Sequence, residues 1–251
     1  IKDFSSSDFN HVVLYVPNTD GINWLECTSS DLPAGIIGQS NEDRYALLIK
    51  PQGGQLIRTP KSSKDDNSLV STVTLKLDND GAAQIIAEQT ARAHQEGIYR
   101  YYAFNESTEE QEKMLRRVLT LSNFNINDYT ILPHKERYET QINFDLSIPK
   151  YASKAGKRLF FTPNSISKYK NIPRDLKDRK YPIENRSAFV DTDLVAIELP
   201  TDYQVESIPQ KEVVLETDFG KYKMTIEQKD RQLVYKRYME RKAFQFPKER
   251  Y

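Results

Sequence analysis

Apolar and polar positions alternate with a period of two along much of the chain. In TQINFDLSI, residues 140–148, Ile142, Phe144, Leu146 and Ile148 fall on one face, and Gln141, Asn143, Asp145 and Ser147 on the other. Successive side chains of a strand point to opposite faces, so this is a half-buried strand with one wet face. Residues 69–77 repeat the pattern through Leu69, Val73, Leu75 and Leu77. The turn Asp78-Asn79-Asp80-Gly81 follows and leads into a second predicted strand near 83–93. Gly can take positive φ, so an acidic or Asn residue before Gly favours a tight hairpin. Towards the C-terminus, KEVVLET (211–217) and KYKMTIE (221–227) flank Asp218-Phe219-Gly220, and QLVYKRYM (232–239) adds a third strand. These form an antiparallel meander, which VDTDLVAIELP (190–200) is expected to join.

One segment carries helical periodicity instead. Ser107-Thr108-Glu109-Glu110 has the form of a capping box, and Met114, Leu115, Val118 and Leu119 make an apolar stripe behind it. Glu109, Glu110 and Glu112 suit the positive end of the helix dipole, and Arg116 and Arg117 the later turns, with Glu112–Arg116 an i,i+4 pair. A helix is therefore predicted near 107–122, as a packing element.

A polar stretch with Pro, residues 59–67, separates two apolar blocks and marks a boundary. The resulting expectation is an α+β fold with β dominant. Residues 1–62 form a small antiparallel sheet. Residues 66–251 form an antiparallel, β-sandwich-like domain with one helix, because alternating strands need a second layer over their apolar face. A long irregular connection is expected over 150–188, rich in Lys, Arg, Asn and Pro.

Composition narrows the class. Hydrophobic residues make up 38%, but 15 Tyr, 11 Phe and one Trp are too many aromatic residues for a disordered chain. With 36 acidic and 36 basic side chains there is no overall basic field for nucleic acid, and the basic run Lys168–Lys180 reads as a solvated loop. A single Cys excludes an internal disulfide. No run approaches the roughly 18 continuous apolar residues of a membrane span. Residues 1–8 lack a signal-peptide pattern, and the chain is expected to belong to something longer. His94 and His134 have no Cys, Asp or His at ligand spacing, so no metal site and no cofactor is assigned. Gly53-Gly54 reads as a hairpin turn, since no helix start or Lys-Ser/Thr follows to make a phosphate loop.

The candidate chemistry lies in FNHVVLYVPNTDGINWLECTSSD, residues 9–31. Phe9–Val16 and Asn23–Thr28 both read as strands, joined by a turn-rich segment. If a four-residue loop covers 17–20, His11 stands opposite Glu26. Cross-strand partners lie about 5 Å apart, within reach of a carboxylate–imidazole hydrogen bond. Such a carboxylate fixes the ring's tautomer and stabilises the imidazolium, as the third member of a catalytic triad does. A strand His beside a carboxylate with no chemistry is the other reading. Cys27 adjoins Glu26, so it points to the opposite face and is expected to be a small buried hydrophobe.

FNHVVLYVP, WLECTSSDLPAGIIG and RYALLIKPQGG together resemble the C-terminal half of a bacterial transglutaminase-like core of the papain superfamily. Asn10-His11-Val12 is similar to that family's NHV-type pattern, and Trp24-Leu25-Glu26-Cys27-Thr28 to its W-L-D-P-T pattern. Leu32-Pro33, Ala46–Ile49 and Thr59-Pro60 resemble the segments downstream. The resemblance implies that His11 and Glu26 are the His and acidic members of a Cys-His-Asp/Glu triad. Glu26 stands where Asp is usual. The nucleophilic Cys of such a core stands at a helix start before this segment, so the chain alone is expected to be inactive. The layout of the whole chain resembles the last part of secreted, Bacteroidetes-type proteins with a C-terminal β-rich domain of unknown function. That implies a periplasmic or cell-envelope location and a protein or peptide substrate met through the upstream segment. The alternative is a non-catalytic binding or scaffold module of the envelope.

Overall fold

The structure, a computed structural model, describes residues 9–17, 23–164, 166–169 and 179–250. These divide into two compact units. The first runs to Ser62 and takes in the loop His134–Tyr138; the second comprises Ser63–Pro133 and the residues from Glu139 on. The division falls within the polar 59–67 stretch.

The first unit is built from two antiparallel ribbons. β1 (Leu14–Tyr15) pairs with β2 (Trp24–Leu25), and β3 (Tyr45–Lys50) pairs with β4 (Gly53–Arg58). A hairpin turn does join β3 and β4 here, but its turn residues are Pro51-Gln52; Gly53 (φ 122°) and Gly54 already belong to β4, opposite Lys50 and Ile49. Little of this unit is sealed from water. Val12, Leu14 and Val16 alternate through β1 and its flanks and are all exposed, as are Tyr45, Leu47 and Ile49 along β3. Val12 is 81% and Ile49 83% accessible.

The second unit contains β5 (Ser68–Leu77), β6 (Ala83–Arg92), α1 (Gly97–Asn105), α2 (Thr108–Val118), β7 (Asn125–Pro133) and β8 (Glu139–Ile148). The short strands β9 (Ser153–Ala155), β10 (Arg158–Phe160) and β11 (Ile183–Asn185) follow. β12 (Phe189–Glu198), β13 (Glu212–Thr217), β14 (Gly220–Lys229), β15 (Gln232–Arg241) and β16 (Phe244–Phe246) complete it. Eight of these strands make one sheet in the order β13-β14-β15-β12-β5-β6-β8-β7. All neighbours in it are antiparallel except β12 and β5. Two antiparallel groups, β5-β6-β8-β7 and β12-β15-β14-β13, are thus joined along their first strands, a non-local parallel contact that no alternation pattern encodes. Gly81 (φ 90°) closes the β5–β6 turn; a Cβ there would lie 2.7 Å from the Ala152 carbonyl oxygen, so only Gly permits this approach.

The β-dominant α+β class read from the sequence is the class of the fold. The layer over the sheet's apolar face is not a second large sheet, however. Leu75, Ile85, Leu146 and Ile197 are fully buried beneath Tyr99 of α1, Met114 and Leu115 of α2, and Leu119, Phe124 and Ile166. Two helices, not one, supply the cover.

α2 starts as its sequence dictates, with the Ser107 hydroxyl accepting from the Glu110 N–H at 3.4 Å. Its charges pair differently from the expected Glu112–Arg116. Lys113 meets Glu109 (2.8 Å) and Glu110 (2.7 Å), while Arg116 donates to the Phe124 carbonyl at 2.9 Å. α1 is anchored by a buried ion pair: Arg100 Nε donates to Glu96 Oε1 at 2.5 Å, and the Thr140 hydroxyl donates to the other oxygen. Burial raises the Glu96 pKa, against the opposing pull of Arg100 and Thr140. Among the described residues no helix is long and apolar enough to cross a membrane.

Candidate functional site

The register of the first ribbon places Leu14 opposite Leu25 and Tyr15 opposite Trp24, and the Val16 N–H donates to the Asn23 carbonyl at 2.8 Å. The connection therefore spans 17–22 and is two residues longer than the four-residue loop expected. Carried outwards, this register sets Glu26 opposite Val13, with His11 two positions further along, opposite Thr28. A slip of two positions leaves each side chain on its original face. His11 and Glu26 consequently still share a face, now as diagonal neighbours.

Diagonal neighbours on one face are separated by about 7–8 Å at Cα, a gap that long side chains close. The His11 ring does so through Nε2, which lies 2.9 Å from Glu26 Oε2 and 3.1 Å from Oε1. The extra methylene of Glu, compared with Asp, suits this diagonal. The carboxylate is held from further directions. Oε1 accepts from the Thr28 N–H (2.9 Å) and hydroxyl (2.7 Å), and Oε2 from the Asn41 amide (3.2 Å). Asn41 sits on the short 3₁₀ turn Gln39–Asn41 and is tied by the same amide to the Ile37 carbonyl at 2.9 Å.

The Glu26 side chain is only 4% accessible, whereas that of His11 is 31% accessible. Burial pushes the Glu26 pKa upward, but the Thr28 hydroxyl and N–H, together with the His11 hydrogen bond, outweigh it and hold the group below its ordinary value of 4.5. An ionised, immobilised carboxylate thus grips one ring nitrogen of a partly exposed imidazole. Its Nδ1 makes no hydrogen bond among the described residues and is the nitrogen left to accept a proton.

Cys27 corrects the sequence expectation. It is exposed rather than buried, and its thiol makes only a 3.7 Å contact to the Leu25 carbonyl. The strand ends at Leu25, so Cys27 lies in the bend that follows, where no sheet neighbour covers it. Thr28 and Asn41 were not singled out from the sequence. Thr28 lies in the W-L-E-C-T segment already singled out, but the role of Asn41 depends on a fold-back that no local pattern announces.

His134 serves its own loop: its Nδ1 accepts from the N–H groups of Glu136 (3.1 Å) and Arg137 (3.2 Å). Among the described residues no three His, Cys, Asp or Glu side chains gather as a metal site.

Residues 157–251 match the family described as a Domain of Unknown Function with solved-structure structure (DUF3858). That span runs from the residue before β10 to Tyr251 and excludes His11 and Glu26. No curated protein matches the chain.

Proposed function

We propose that the first unit is the strand half of a transglutaminase-like cysteine protease or acyltransferase core, with His11 as its general base and acid and Glu26 as the residue that orients it. The observation that carries this reading is the 2.9 Å contact between His11 Nε2 and a carboxylate fixed by Thr28 and Asn41. With Nε2–H committed to Glu26, Nδ1 takes the thiol proton. The thiolate attacks the substrate carbonyl, and the imidazolium, stabilised by Glu26, returns the proton to the departing amine. Cys27 is not the nucleophile in this scheme, because it adjoins Glu26 and its only contact is with its own backbone. The thiol comes from a segment outside the described residues. The exposed apolar rows of Val12, Leu14 and Val16 and of Tyr45, Leu47 and Ile49 support a covering layer that comes with it. The substrate class is protein or peptide, and the resemblance puts the parent protein in the periplasm or cell envelope.

The test is to join the chain to the segment encoded immediately upstream of Ile1 and assay thiol-dependent amide hydrolysis or acyl transfer. The expected result is no turnover by the 251 residues alone, turnover by the joined protein, and loss of it on alkylation or in His11→Ala. An upstream segment without Cys, or turnover that survives His11→Ala, would overturn the reading.

A further inference from the structure

The covered face of the large sheet is not uniformly apolar. Val195, Tyr235, Val73, Ala87 and Phe144 lie in one row across five strands. Two positions further along, the inward row reads Arg237, Asp193, Ser71 and Gln89, and Asp191 follows on β12. The sequence carries the signal: Asp191 and Asp193 alternate in step with Val195 and Ile197.

These groups are only partly neutralised. Arg237 gives its Nε to Asp193 (2.5 Å) and one terminal nitrogen to the Ser167 carbonyl (2.7 Å). Its other terminal nitrogen stops 3.7 Å from Asp191 Oδ2, beyond hydrogen-bond reach. Asp191 Oδ1 accepts from Gln95 at 2.7 Å. Two carboxylates therefore share one guanidinium, and the surplus negative charge sits on Asp191, whose side chain is 14% accessible. Burial raises its pKa, as expected of a carboxylate short of a close cation.

Asp191 opens onto a cavity of about 150 Å³, together with Gln89, Tyr99, Val118, Ser167 and Tyr169. Gln89 spends its amide nitrogen on the Ser71 hydroxyl (2.9 Å), which leaves its carbonyl oxygen as an acceptor. Tyr99 is buried, and burial with the nearby Asp191 charge pushes its hydroxyl up to about 12, so it stays a neutral aromatic wall. A carboxylate, an amide oxygen and aromatic rings around a small space with aliphatic sides suit a compact organic cation.

We propose that this cavity binds an alkylammonium group, such as the side chain of a lysine or a small primary amine, with its N–H groups directed at Asp191. The proposal is independent of the His11–Glu26 reading. Lys168, exposed at the rim, weakens such binding by charge repulsion.

The test is an amide chemical-shift titration of the full chain with n-butylammonium chloride, against 1-pentanol, butyrate and sodium chloride as controls. Saturable shifts at Gln89, Thr120, Ser167 and Asp191 are expected for butylammonium, with a millimolar dissociation constant, as so small a ligand permits. Asp191→Asn should weaken binding about tenfold or more, the scale of a hydrogen bond to a charged partner, and Lys168→Gln should strengthen it. Val118→Phe fills the space without altering charge and should abolish the shifts, which keeps the proposal testable if Asp191→Asn misfolds. Equal or better binding of butyrate or pentanol, shifts matched by sodium chloride, or unchanged affinity in a folded Asp191→Asn or Val118→Phe would overturn it.

Discussion

Glu26 offers the most direct measurement at the level of single residues. Its pKa is lower in the folded protein than its ordinary value of 4.5. As pH falls, the unfolded chain takes up the proton first. The stabilisation it provides is thus fully present above 4.5 and is lost as pH drops through the lower folded value. A carboxyl-carbon NMR titration should place the Glu26 midpoint below 4.5, and Thr28→Val should move it upward by removing the strongest opposing hydrogen bond. In Glu26→Gln, amide protection around residues 24–28 should lose its acid dependence in this range; an unaltered profile would show that the carboxylate is not held as described. The pair was legible in the sequence because side-chain parity survives a two-residue error in loop length. Cys27 was misread because parity says which way a side chain points and nothing about whether anything lies there.

Among the elements, α1 is the one the sequence hid. Its segment, GIYRYYAFN, opens with Gly and is crowded with aromatic residues that favour strands, and its apolar positions trace no clean stripe. Tertiary contacts hold it instead: Tyr99 docks in the core, and Glu96–Arg100 pairs at i,i+4 out of water, with side chains 0% and 3% accessible. Removing one partner of a buried pair strands the other charge. Arg100→Met should therefore destabilise the second unit by about 3–5 kcal/mol. The double variant Glu96→Gln/Arg100→Met should recover most of that loss, because no charge is left unpaired. Urea denaturation of the three proteins tests this; a double variant no more stable than Arg100→Met would mean that packing by the Arg100 stem, rather than its charge, is the anchor. α2, with its own cap and stripe, was by contrast readable from local sequence alone. So were the long strands other than β7, which was not singled out, though not the parallel β5–β12 contact, whose partners are more than a hundred residues apart.

For the molecule as a whole, the contrast between its two units sets the expected distribution of stability. The second unit fully buries Leu75, Ile85, Leu146 and Ile197, and each such side chain contributes about 1.5–3 kcal/mol by leaving water. In the first unit Pro33, Ile37 and Thr59 are the only buried positions among the described residues, while whole apolar rows face solvent. Local opening free energies follow buried apolar contact. In a hydrogen-exchange experiment, amides of β5, β6, β8 and β12 should exchange slowest, at the rate of global unfolding. Those of β1 to β4 should exchange much faster, through openings that leave the large sheet intact. The sequence foresaw two blocks but not this asymmetry, since the apolar residues of YALLIK, such as Leu47 and Ile49, carry no local signal of whether anything lies over them. The same experiment bears on the proposed core. In a protein joined to the proposed upstream segment, β1 to β4 should gain protection while β5 to β12 stay unchanged, because the exposed rows of the first unit are the ones that segment is proposed to cover. Protection of β1 to β4 already equal to that of β5 in the 251-residue chain would mean that the first unit is complete as it stands, and the argument for a missing layer would fail with it.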